Sequence, residues 1–174
     1  MRRVTTLSIG GIMAVAVFSV SATKSPSAAT PRVTREVIAV YLGTVGTDAQ
    51  SGMTTAVREM KMALAKQAAA SGRQFVSRGV SLDPTVEGGL QHLALLGQFD
   101  EISVGDNWTN SVVVRYLGPN FGDSRAAIPQ VVLLEREVQQ ENSTLIVGPE
   151  RELGRYIGVD KIGAWVRQGA PLPR

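Results

Sequence analysis

Few residues of this chain could carry chemistry, and their types exclude several reactions. The 174 residues include no cysteine, so thiol–disulfide exchange and cysteine-based peroxidase chemistry are excluded. His92 is the only histidine, and a lone histidine in a helix is expected at the surface or at an edge. A zinc site needs three or four ligands, and no carboxylates are spaced to supply the rest. We therefore predict no catalytic residue, no metal and no cofactor.

The segment from Gly43 to Gly52 is the second place where chemistry could occur. It contains three glycines and several cap-forming residues between an apolar run and a helical pattern, which is the general setting of an anion site. Its glycine spacing fits neither the dinucleotide fingerprint nor the phosphate loop, and the nearest lysine is Lys61. An ordinary strand–helix connection is the favoured interpretation; the alternative is an α/β enzyme or binding protein that uses this loop for a phosphate or nucleotide ligand.

The elements that would position this loop follow from hydrophobic periodicity. Val37–Leu42 is a continuous apolar run of strand length. Apolar residues at helical spacing then predict a helix from about 53 to 70, with Gly72 as its C-terminal glycine. A second strand is predicted over 74–82, followed by a helix capped by Asp83 and a short strand over 99–104.

The second half of the chain predicts a hairpin and helices. A short helix over 110–117 precedes a long loop, and Val131–Leu134 is typical of a strand covered on both faces. We expect a polar hairpin loop over 137–143, a partner strand over 144–148, a helix over 150–156 and a last helix capped by Asp160. Pattern alone thus predicts an α/β domain with a mixed sheet.

Three features near the centre of the chain make the prediction more specific. A short helix ends in Tyr116-Leu117-Gly118, and Ile128-Pro129 stands directly before the buried strand. With a parallel βαβ unit before them and a ββα unit after them, these residues resemble the thioredoxin-like superfamily. The resemblance implies a central mixed sheet of four to five strands flanked by helices, an insertion over 99–125 and a cis-proline loop before the antiparallel hairpin.

The resemblance also implies a site. In that family the redox dithiol lies between the first strand and the first long helix, where this chain has Thr47-Asp48-Ala49-Gln50. The chain is therefore similar to a member lacking the Cys-x-x-Cys motif, and we expect it to be redox-inactive. The family's proline loop faces that helix and pairs with substrate peptides. We accordingly predict a peptide- or protein-binding surface, formed by Thr47, Asp48, Gln50, Ile128 and Pro129.

The N-terminus differs in character from the rest of the chain. Residues 1–29 combine a positive start, an apolar stretch and small residues at two cleavage sites, which predicts a secretory signal peptide; a retained membrane anchor is the alternative. Its removal takes three of the 18 basic residues and none of the 15 acidic ones, so the mature chain is formally neutral and is not expected to bind nucleic acid. We expect export to the periplasm or the extracellular space.

The remainder is predicted to be organised as one domain without stable membrane insertion. Residues 30–35 are expected to form a flexible lead, 36–170 the thioredoxin-like domain and 171–174 a tail. A core of this size can be stable without disulfides.

Overall fold

The computed structural model describes residues 32–48, 52–120 and 124–173. The predicted signal peptide over 1–29 lies outside these ranges, as does Gln50 of the predicted site. Within the described ranges, no helix combines the length and the apolar character that crossing a membrane requires.

A six-stranded mixed sheet forms the centre of the fold. Its strands are β1 (Arg32–Gly43), β2 (Gln74–Ser81), β3 (Glu101–Ser103), β4 (Gln130–Glu141), β5 (Thr144–Val147) and β6 (Arg151–Ile157). The α-helices are α1 (Val45–Asp48), α2 (Met53–Ala70), α3 (Val86–Leu95), α4 (Ser111–Leu117) and α5 (Val159–Arg167).

The strand order is β3-β2-β1-β4, and both β5 and β6 pair with β4. Strands β1, β2 and β3 are parallel, as short crossovers through helices require. Strand β4 runs antiparallel to β1, β5 and β6. The predicted α/β class with a mixed sheet flanked by helices is thus confirmed, and the sheet has more strands than expected.

The two central strands are apolar on both sides because helices cover both faces of the sheet. On one face, Tyr41 and Leu133 pack with buried residues of α2, α3 and α5. On the other face, Ile38 and Val132 pack with Val113 and Leu117 of α4. This double burial explains why the continuous apolar runs over 37–42 and 131–134 predicted central strands.

Two elements of the second half differ from the prediction. The expected hairpin loop over 137–143 is wrong, because β4 continues through Glu141 between β1 and β5 and leaves only Asn142 and Ser143 in the turn. The expected helix over 150–156 is also wrong. These residues fall almost entirely in β6, which pairs with the first half of β4 through a bulge at Leu133/Leu134.

The chain ends and the helix caps differ as well. Arg32–Arg35, expected in a flexible lead, belong to β1 and pair with the distal half of β4.

Thr85 and not Asp83 caps α3, by accepting a hydrogen bond from the Gly88 amide. Asp160 lies inside the first turn of α5, which is capped by Gly158. In the predicted tail, the Leu172 amide donates to Gln67 and so holds the segment to α2.

Candidate functional site

The sheet register brings the two predicted parts of the site to one edge. Leu42 at the end of β1 pairs with Gln130 at the start of β4. The next residues, Gly43 on one strand and Pro129 on the other, therefore lie at the same edge. From there β1 turns into α1, so the α1 turn and the Ile128–Pro129 loop are neighbours.

The α1 turn is held by its own threonines. The Thr47 hydroxyl donates to the Thr44 carbonyl at 3.0 Å, and the Thr47 amide donates to the same oxygen at 3.2 Å. Thr47 is half-buried. Asp48 closes this short helix. The threonine of the predicted site is therefore a turn-forming residue.

The loop before β4 is held by a buried glutamine. The Gln130 side-chain amide donates to the Ala127 carbonyl at 2.7 Å and to the Arg125 carbonyl at 3.3 Å. Its oxygen accepts a 2.6 Å hydrogen bond from Arg155 on β6. Gln130 is fully buried and thus ties the loop to two strands. None of these contacts of Gln130 was predicted from the sequence.

Ile128 and Pro129 have different backbone environments within this loop. Their peptide bond is cis. Pro129 is buried, and its carbonyl accepts a hydrogen bond from the Gly158 amide at 2.8 Å. Ile128 is half-buried, and its side chain packs on the α4 side of the sheet. Among the described residues, no backbone group is hydrogen-bonded to the backbone of Ile128.

A buried polar cluster lies behind the α1 turn. The Ser81 hydroxyl donates to the Asp83 carboxylate at 2.6 Å, and His92 Nδ1 lies 3.1 Å from the same oxygen. The Val45 amide also donates to this carboxylate, at 3.3 and 3.4 Å to its two oxygens. We call these side chains the Ser81–Asp83–His92 cluster. It joins the end of β2 to α3 and to the start of α1.

The geometry of the Ser81–Asp83–His92 cluster is structural and not catalytic. A catalytic triad places serine and aspartate on opposite ring nitrogens of histidine, whereas here both oxygens approach Nδ1. Ser81 and His92 are almost fully buried, so no substrate reaches them. The expectation that His92 lies at the surface or an edge is wrong. Its ring lies against Ser81 and Asp83, and helix periodicity could not reveal these contacts.

A second polar cluster covers the other face of the sheet, where α4 ends. We call it the Arg–Glu network. Its members are Glu36, Arg78, Glu101, Arg115, Arg136 and Glu150. Within it, Arg78 lies 2.5 Å from Glu101 and 3.3 Å from Glu150, while Arg136 lies 2.6 Å from Glu36. Three cations and three anions share this half-buried surface, so the network balances its own charge.

Tyr116 joins the Arg–Glu network to α4. Its hydroxyl accepts a hydrogen bond from Arg78 and donates to Glu150 at 3.0 Å. Burial by itself lowers the pKa of Arg78, but the hydrogen bond to Glu101, the charges of Tyr116 and Glu101 and the hydrogen bond to Glu150 raise it above its ordinary value. Burial raises the pKa of Tyr116 to about 12; Glu150 adds to this shift, and the charges of Arg78 and Arg115 oppose it.

Tyr116 should therefore ionise late in an alkaline titration. We expect the difference in tyrosinate absorbance at 295 nm between the wild-type protein and Tyr116→Phe to have its midpoint near pH 12 and not near pH 10. Because the neutral phenol is the form favoured in the folded state, its contribution to stability is complete below about pH 10 and disappears as the pH rises through about 12. A difference midpoint at pH 10 in folded protein would contradict this placement of Tyr116.

The described residues contain no group of three or more His, Cys, Asp or Glu side chains that could hold a metal ion. Comparisons with protein-family models, with curated proteins and with solved structures find no match.

Proposed function

We propose that this chain is an exported, redox-inactive domain of thioredoxin-like architecture that binds an extended peptide or protein segment. The architecture is supported by the parallel β1–β2 unit beside the antiparallel β4–β6 unit. Helices α2 and α5 pack on one face of the sheet, and α4 packs on the other. Export is supported by the signal-like pattern of residues 1–29, and redox inactivity by the absence of cysteine.

The observation that carries the binding proposal is the backbone of Ile128. It stands where β4 loses its β1 partner, and its amide and carbonyl are unpaired among the described residues. An added strand could replace water at these groups with backbone hydrogen bonds, as in binding by β-addition. The half-buried side chain of Ile128 and the exposed Ala127 beside it leave room for a ligand strand.

The alternative, a phosphate or nucleotide held by the Gly43–Gly52 loop, is weakened by one contact. The amide of Val45, the first residue of α1, donates to the Asp83 carboxylate. An anion at this turn would compete with that carboxylate for the amide and would be repelled by its charge. The turn is therefore better suited to shaping a peptide site than to holding a phosphate.

A titration followed by backbone NMR tests the proposal. With a mixed pool of unstructured octapeptides as the probe, we expect shifts of the Ile128 amide and of the amides of Thr44–Thr47. Ala127→Trp should weaken binding at least ~10-fold, because the ring would cover the open backbone beside it. Ala65→Trp, at an exposed position of α2, is the matched control and should leave binding unchanged.

Two results would count against peptide binding at Ile128. The first is the absence of shifts at Ile128 with millimolar peptide. The second is an equal effect of the two tryptophan substitutions. Inorganic phosphate serves as a separate probe: saturable shifts of the Val45–Thr47 amides with phosphate alone would favour the anion-binding alternative.

A further inference from the structure

Strand β5 is an open edge of the sheet, at the opposite end of β4 from Ile128. It pairs with β4 on one side, and no strand of the described residues pairs with it on the other. Its three apolar side chains are exposed: Leu145 by 64%, Ile146 by 48% and Val147 by 51%. An uncovered apolar edge strand is a template for pairing with another chain.

The hydrogen-bond pattern shows which backbone groups of β5 face outwards. The Gly148 amide donates to the Glu137 carbonyl at 2.8 Å, so that pair faces inwards between the strands. Facing pairs alternate along an antiparallel ladder, which makes Ile146 with Gln139 the next inward pair. The amides and carbonyls of Leu145 and Val147 therefore point towards the open edge.

The four-residue length of β5 is one protection against self-pairing, but the edge lacks the others. Protected edges carry lysine, inward-pointing charges or a bulge. Here residues 142–149 contain no charged side chain, and the only proline, Pro149, stands after the strand. A two-fold contact pairs the edge with its own sequence, so an edge carrying charges of one sign would repel itself. The uncharged edge of β5 meets that requirement.

We propose that β5 pairs antiparallel with β5 of a second copy of this chain, about a two-fold axis through Ile146. In this register Leu145 lies opposite Val147 of the other copy, so both outward-facing residues of each strand are used. Four hydrogen bonds join the copies. A register centred on Leu145 would place only one outward pair within the strands, and it is therefore disfavoured.

The side chains complete the contact on both faces of the joined sheet. Leu145 and Val147 of the two copies form a four-residue apolar cluster on one face. On the other face the two Ile146 side chains meet, next to Gln139 and the half-exposed Val33, which the register places in the same row. The contact is smaller than the ~1,200–2,000 Å² buried in stable complexes, so the dimer should be weak and concentration-dependent.

Sedimentation equilibrium of the purified protein up to about 1 mM tests the dimer. We expect the weight-average mass to rise towards twice the monomer mass with concentration. Ile146→Lys places two like charges across the axis and should raise the dimer dissociation constant at least ~10-fold. Met62→Lys, at a 66% exposed position of α2, is the matched control and should behave as the wild type.

The double variant Leu145→Lys/Val147→Glu tests the register. With the axis through Ile146, opposite charges face each other twice, so dimerisation should persist and become sensitive to salt. With the axis on Leu145, the two introduced ammonium groups would face each other and the variant would be monomeric. A monomeric wild type at 1 mM, or an unchanged dissociation constant in Ile146→Lys, would overturn the proposal. Peptide binding at Ile128 is measured separately and is independent of this result.

Discussion

Replacement of Arg78 with methionine is expected to lower the free energy of unfolding by ~3 kcal/mol. Arg78 is only 8% exposed, and its guanidinium contacts Glu101, Glu150 and the Tyr116 hydroxyl. Methionine fills much of the same volume but leaves the buried Glu150 carboxylate with fewer cations around it. The loss should be measured by urea denaturation, with the midpoint and the slope determined separately.

A second arginine of the same network provides the control. Arg115 contacts the same Glu150 carboxylate at 2.9 Å, but its side chain is 60% exposed. Arg115→Met should therefore cost less than ~1 kcal/mol. Adding Glu150→Gln to Arg78→Met should restore part of the stability, because it removes the excess negative charge that the loss of Arg78 leaves in the Arg–Glu network, where Arg115 and Arg136 remain. Equal losses for the two arginine variants would show that burial does not decide the strength of these contacts.

Replacement of Asp83 with alanine is expected to cost a similar ~3 kcal/mol or more. The carboxylate accepts hydrogen bonds from the Ser81 hydroxyl and the Val45 amide and lies against His92. Removing it leaves the buried Ser81 hydroxyl and the part-buried Val45 amide without this acceptor, at ~1–3 kcal/mol for a buried group left unsatisfied. Thermal or urea unfolding measures the loss. Asp83→Asn keeps an acceptor of the same shape, so its free energy of unfolding should lie between those of the wild type and Asp83→Ala.

An exposed acid in the first turn of α5 is the control for Asp83. Asp160→Ala removes a favourable interaction with the helix dipole of ~0.3–1 kcal/mol and no buried contact. Asp83 was interpreted from the sequence as a helix cap, a role of comparable size. If Asp83→Ala lowered the free energy of unfolding no more than Asp160→Ala, a helix-capping role would account for Asp83. The Ser81–Asp83–His92 cluster would then contribute little to stability.

The secondary structure could be predicted from the sequence where the signal lies within one element. Strand β1 could be predicted from its continuous apolar run, and helix α2 from apolar residues at helical spacing, because each signal lies within one element. Strand β6 could not, because Arg151–Ile157 contains few apolar residues and becomes a strand only where β4 offers an edge. Tertiary pairing overrides local preference there.

The candidate site divides in the same way. The position of Pro129 before a buried strand could be predicted from the sequence. The pairing register of β1 and β4 brings Pro129 to the sheet edge where the α1 turn begins. The hydrogen bonds of Gln130 and the burial of His92 could not be predicted, since each depends on partners from other elements of the chain. A single sequence contains no local pattern for contacts of this kind.

The pairing of β1 with β4 has a consequence for how the protein forms. Eleven residue pairs join these strands, and the partners lie about 100 positions apart in the chain, as Glu36 and Arg136 do. The sheet therefore has no complete centre until most of the polypeptide is available, and folding is expected to be slow, on the scale of milliseconds to seconds. Before β4 has been synthesised, the apolar run of β1 lacks one of its neighbouring strands. During synthesis from the N-terminus, productive folding therefore requires that this run does not aggregate before β4 pairs with it.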